Sequence, residues 1–118
     1  MTPLVKPLTW WQRFAVAFSG LGYAFRTQVS MKVHVVCGAI VIALGLVKNL
    51  DFIEWAVLSL TIGLVISLEL VNTAIEAVVD LASPEYAELA KVAKDTASAA
   101  VLVASIAAIA VGGCLFCF

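Results

Sequence analysis

An all-α integral membrane fold, with three transmembrane helices after an N-terminal amphipathic interfacial helix, is predicted by two properties of this 118-residue chain. First, 64% of its residues are hydrophobic and only 13% are charged, whereas soluble domains average about half apolar and about a quarter charged. Second, the apolar residues gather into three windows long enough to cross a bilayer. Spanning roughly 30 Å of hydrocarbon takes about 20 helical residues at about 1.5 Å each. The length suits one domain over residues 1–118.

Residues 10–28, WWQRFAVAFSGLGYAFRTQ, place Trp10, Phe14, Ala17, Leu21 and Phe25 near one helical face, with Gln12, Arg13, Ser19 and Arg26 mostly elsewhere. That pattern suits a helix lying in the membrane interface; it equally suits one packed on a bundle. The first span is expected at about 29–47, with Lys32 and His34 near its start. After the short connection KNLD (48–51), the second span is expected at about 52–80, with Glu54 at its beginning. A polar, proline-containing stretch, LASPEYAELAKVAKD (81–95), leads into the third span, expected at about 91–118, of which Thr96–Phe118 carries no charge.

Orientation follows from Lys and Arg, which cytoplasmic loops retain. Lys6, Arg13 and Arg26 precede the first span and Lys32 lies near its start, and Lys91 and Lys94 lie at the start of the third; only Lys48 lies in the intervening loop. The amino terminus and the second loop should therefore face the cytoplasm. No cleavable signal peptide is expected, because no basic-then-apolar segment with a small-residue cleavage site precedes the first span. Cys37, Cys114 and Cys117 lie in or near spans; the C-x-x-C pair sits in GGCLFCF without His or acidic company, so packing is a better reading than metal or redox chemistry. His34, alone in its span, reads as an interfacial polar residue rather than a ligand.

The residues that carry chemistry begin where the apolar run Trp55–Leu68 ends, at ELVNTAIEAVVD (69–80). On a helix, Glu69, Asn72, Thr73, Glu76 and Asp80 fall within a sector of roughly 80°. Ionisable groups at membrane depth are expensive and mark function by default; Asp80 alone could instead begin a solvated helix end. Lys91, Lys94 and Ser98 share a face of the next helix, with Asp95 beside it. Ammonium groups suit phosphates, and carboxylates with an amide oxygen suit Mg²⁺, which is commonly held by one or two carboxylates plus substrate phosphates. Together they describe a nucleotide and metal site at one membrane boundary. No G-x-x-x-x-G-K-[ST] is present, and GLG (20–22) is too little for a glycine-rich phosphate loop.

ELVNTAIEAVVDL followed by SPEY, then ELAKVAKD and SAAVL, strongly resembles the prokaryotic diacylglycerol kinase family, which includes the undecaprenol kinases; the likeness extends more loosely to FAVAFSG (14–20) and KVH (32–34). The resemblance implies an ATP- and Mg²⁺-dependent lipid kinase of the bacterial inner membrane. It further implies a homotrimer with active sites at subunit boundaries, and no nucleic-acid partner. By matching position it implies Glu69 as catalytic base, Asn72 as a supporting active-site residue and Glu76 as a metal ligand that also holds the nucleotide. Lys94 and Asp95 then contact the nucleotide phosphates, Glu85 and Tyr86 the nucleoside part, and Ser98 the lipid. The family stretch E-x-N-x-R-x-H is QVSMKVH here, so Gln28 takes the place of a metal- and nucleotide-holding Glu and Ser30 that of an Asn. The site would then have one carboxylate fewer. DLASPEY and KVH lean toward undecaprenol as substrate, KDTASAAVL toward diacylglycerol, and undecaprenol is favoured. A non-catalytic membrane scaffold is the competing class.

Overall fold

In a computed structural model the chain is described over residues 6–118, which form four α-helices and no strand: α1 (Trp10–Thr27), α2 (Val29–Lys48), α3 (Phe52–Ala82) and α4 (Glu88–Cys117). The starts of α1 and α3 are written in short polar pairs. Thr9 accepts a hydrogen bond from the Gln12 backbone N–H while the Gln12 side chain accepts from the Thr9 N–H, and Asp51 and Glu54 reciprocate in the same way. Each arrangement satisfies two N–H groups that the first turn leaves without partners.

Gln28 is the corner between α1 and α2. Its extended backbone (φ −110°, ψ 116°) ends one helix and begins the next. At the other end of α2, Asn49 adopts the left-handed conformation (φ 57°), which Asn tolerates better than most residues. The return of the chain also needs Gly45: a Cβ there would stand 2.9 Å from Leu50 Cδ1 and 2.9 Å from Trp55 Cη2.

The spans α2, α3 and α4 have 20, 31 and 30 residues. Since about 20 residues suffice for the hydrocarbon, α3 and α4 each extend beyond it by roughly ten. The apolar cluster Leu50, Leu58 and Leu115, with Trp55 and Phe116 against it, sits at the α2–α3 loop end. There the Lys48 ammonium donates to the carbonyls of Leu115 and Phe118, where the end of α4 leaves acceptors without helical partners. The polar residues lie at the opposite end.

Much large apolar surface is uncovered, for example Phe52 at 89%, Leu60 at 76% and Ile109 at 75%. In a bilayer this is the surface that meets lipid or another helix, because lipid tails are as apolar as the side chains. α1 combines both alternatives for it: Ala24, near its end, is buried, whereas Trp10 and Trp11, at its start, are open.

Asp51→Ala should remove the cap of α3 and lower stability by about 1 kcal/mol, read by unfolding in mixed micelles; an unchanged midpoint would mean that packing alone sets where α3 begins.

Candidate functional site

Along α3 the acidic stripe passes from buried to exposed. Glu69, Asn72 and Thr73 are buried, Glu76 is half-buried and Asp80 is exposed. Glu69 has no exposure at all. A buried carboxylate is tolerated only where donors or a cation compensate it, and α2 supplies them. The Ser30 hydroxyl donates to Glu69 Oε2 at 3.0 Å. His34 Nδ1 approaches Glu69 Oε1 to 2.8 Å, although the ring N–H axis is not aligned on the oxygen. On its other side His34 Nε2 lies 3.2 Å from Ser105 Oγ of α4. Ser30 is itself exposed, so it sits between the buried base position and the outside.

Two turns further along, Glu76 is held by two amides. Gln28 Nε2 donates to its Oε2 at 3.1 Å and Asn72 Nδ2 to its Oε1 at 3.3 Å. The corner at Gln28 therefore presents its amide to the stripe, with the nitrogen toward the carboxylate as the charge requires. Asn72 Oδ1 is buried and has no partner.

The residues expected to hold a nucleotide gather elsewhere. Asp80, Glu85, Tyr86, Lys91, Lys94 and Asp95 line a cleft of about 290 Å³ around the turn between α3 and α4. Lys94 pairs with Asp80, and Lys91 with Asp95 one turn along α4. The hydrogen bond to Asp80 holds the Lys94 ammonium above its ordinary pKa, with the charge of Glu76 adding to it. Ser98 is exposed one turn beyond Lys94 and hydrogen-bonds to neither group. Nearer the membrane centre an apolar cavity of about 110 Å³ is lined by His34, Cys37, Gly38, Val65, Ile66 and Ala108.

Sequence reasoning missed two members of the site. Ser30 entered it only as a departure from a motif, and His34 was read as an interfacial polar residue; both are the direct partners of Glu69. Their spacing of four puts them on one face of α2, which is the signal the sequence offers, without saying what that face meets. Among the described residues no three His, Cys, Asp or Glu side chains come together as a metal site would require. Any metal here would depend on Glu76, on amide oxygens and on its own ligands. An all-oxygen set of this kind, with the unpartnered Asn72 Oδ1 on the same stripe, fits a hard cation.

Residues 15–116 match the family model described as prokaryotic diacylglycerol kinase. The chain is 52% identical over 103 residues to a diacylglycerol kinase of Synechocystis sp., covering 86% of this chain and 59% of that protein. It is 38% identical over 103 residues to the undecaprenol kinase of Bacillus subtilis, covering 87% and 84%. A diacylglycerol kinase of Escherichia coli K12 is 36% identical over 93 residues, covering 79% and 76%. The chain thus spans under two thirds of the first of these relatives and most of the other two.

Lys94 and Asp80 are 40% and 66% exposed, and such pairs contribute roughly 0–1 kcal/mol. Asp80→Asn should therefore shift the unfolding midpoint by less than about 1 kcal/mol; a larger loss would assign the pair a structural role that its exposure does not support.

Proposed function

This chain belongs to the prokaryotic diacylglycerol kinase family, and we propose that it moves the γ-phosphoryl group of ATP onto the hydroxyl of a membrane lipid alcohol at the cytoplasmic face. The observation that carries the reading is Glu69: a wholly buried carboxylate where α3 leaves the apolar zone, already accepting a hydrogen bond from an alcohol, the Ser30 hydroxyl. A lipid hydroxyl in that position makes the same bond.

The lipid must lie at headgroup level while ATP stays in water, so base and phosphate site have to meet at the boundary between them. The lipid displaces Ser30 from Glu69, and its chain runs down into the apolar cavity beside His34. The hydroxyl oxygen forms its bond to the γ-phosphorus as the bond to the bridging oxygen of ADP breaks, and the hydroxyl proton passes to Glu69. Phosphoryl transfer asks mainly for positioning and charge neutralisation. Lys94, once it exchanges Asp80 for phosphate, and Lys91 supply positive charge in the cleft. The exposed Tyr86 ring and Glu85 are available to the nucleoside part, and Ser98 to the lipid headgroup. Mg²⁺, which would spread the charge of the phosphates, would be held by Glu76 and by Gln28 after its amide turns its oxygen inward, with Asn72 Oδ1 available as a further oxygen. The family likeness implies a homotrimer, for which the uncovered apolar surfaces leave room, with the amino terminus cytoplasmic as the Lys and Arg distribution favours.

The 52% identity to a protein named diacylglycerol kinase tips the substrate toward diacylglycerol. Undecaprenol is the second reading, favoured by the KVH and DLASPEY stretches and by the Bacillus relative, which the chain covers for 84% of its length. Purified protein given labelled ATP and vesicles containing both alcohols should label phosphatidic acid ahead of undecaprenyl phosphate; labelling of neither, in folded protein, would leave the scaffold reading.

Glu69→Gln should lower turnover by about 10²- to 10⁴-fold, the range for losing a general base, with nucleotide binding retained. Near-normal turnover at saturating substrates would remove Glu69 from the base role.

Gln28→Glu would set a second carboxylate against Glu76, where the amide now lies at 3.1 Å. Like charges at that distance repel unless a cation joins them. The variant should melt lower than wild type without Mg²⁺, gain more stability as Mg²⁺ is added, and reach half-maximal activity at lower Mg²⁺. Identical Mg²⁺ titrations of melting in both proteins would place the metal elsewhere.

A further inference from the structure

His34 and Glu69 meet through two atoms that have nothing else. His34 Nδ1 and Glu69 Oε1 are both buried without another hydrogen-bond partner, 2.8 Å apart. Two lone pairs at that distance repel, so the hydrogens around them decide what the contact is. Ser105 has one hydroxyl hydrogen, and its 2.8 Å bond to the Val101 carbonyl uses it. With that hydrogen on Val101, the Ser105 oxygen accepts from His34 Nε2, the arrangement in which Nε2 carries a hydrogen. Ser30 donates to Glu69 Oε2, so that oxygen carries none. A neutral ring would leave the buried charge of Glu69 uncompensated, whereas a second ring hydrogen makes the 2.8 Å approach of Nδ1 to Oε1 an ion pair.

We propose that His34 is a positioning residue that stays doubly protonated beside Glu69 and, as the cation paired with it among the described residues, keeps the buried carboxylate ionised and ready to accept the hydroxyl proton. The inference rests on the reading of Glu69 as the base. Its other neighbours leave the assignment clear. Among the described residues the ring pairs with Glu69 of α3 and with Ser105 of α4, which is polar but not titratable, and α1 makes no hydrogen bond or ion pair with it. On α2 itself, Cys37 lines the same cavity, and Lys32 lies two residues back, exposed. When Glu69 accepts the hydroxyl proton the pair becomes a neutral acid beside an imidazolium, and it is restored by releasing one proton to water.

His34 is the sole histidine of the chain, so ¹⁵N-histidine labelling of the full protein, purified in bilayers without a histidine tag, gives one ring to observe. At neutral pH both ring nitrogens should carry hydrogen in wild type, and Glu69→Gln should release one of them to give a neutral ring. A neutral ring in wild type, with Nε2 bare because the Ser105 hydrogen points at it, overturns the proposal. So does a spectrum that Glu69→Gln leaves unchanged. This readout needs no turnover, so it stands apart from the kinase reading. In the active protein, His34→Gln keeps a donor but loses the charge. It should reduce kcat by about 10- to 100-fold, a part of what a general base contributes, with KM for ATP unchanged, and it should move the acid limb of kcat to higher pH. A uniform loss with an unmoved pH profile would make His34 merely structural.

Discussion

The Glu69 carboxylate, buried without exposure inside a membrane-embedded helix packing, is the constraint on which the rest of the molecule depends. An ion taken out of water costs several kcal/mol even after relaxation, and lipid offers nothing to offset it. Every compensating contact must come from the protein. That requirement fixes the rotation of α2, because only one face of α2 carries Ser30 and His34, four residues apart, and both must point at α3. It also brings α4 in, because the ring that serves Glu69 is itself supported by Ser105.

The same requirement explains the asymmetry between the two ends of the bundle. At the α2–α3 loop end, apolar packing around Leu50, Leu58 and Leu115 and a lysine on the last carbonyls of α4 suffice. At the opposite end α3 and α4 run on past the hydrocarbon, and polarity rises in steps: buried Glu69, half-buried Glu76 between two amides, exposed Asp80 paired with Lys94. On the proposed reading, the group that takes a proton from a lipid belongs at the first step, and the group that meets phosphates in water at the last. The gradient is a consequence of helix length against bilayer thickness, and it sorts the chemistry by depth.

This division also shows what a single sequence makes legible. Three spans, a short α2–α3 loop and a polar α3–α4 turn follow from composition and length. The stripe Glu69, Asn72, Glu76 is legible because spacing within one helix is rigid geometry, and the grouping of Glu85, Tyr86, Lys94 and Asp95 in one cleft rests on motif order over a short turn. Which face of α2 meets that stripe is not a local property. In the sequence Ser30 and His34 are two polar residues in an apolar helix, and nothing in their own neighbourhood distinguishes a side that faces headgroups from one that faces Glu69. Pairings between helices, such as Lys94 with Asp80 instead of its neighbour Asp95, are hidden for the same reason.

Gln28 shows how a carboxylate of such a stripe is held from outside its helix by an amide. An acid at this corner would confront Glu76 at hydrogen-bond distance, and the pair would need a cation to exist comfortably. The amide instead donates to Glu76, and Asn72 donates to its other oxygen, so the carboxylate is satisfied by neutral groups alone. Hydrogen bonds to a charged acceptor contribute roughly 1.5–3 kcal/mol, enough to order the corner between α1 and α2 without any metal. Glu76 is thus held at this point by two amides, while Asn72 Oδ1 stays buried without a partner. A cation that enters must turn the Gln28 amide over and displace a bond already made, so its binding is coupled to the geometry of the corner itself, and through that corner to where the interfacial helix lies.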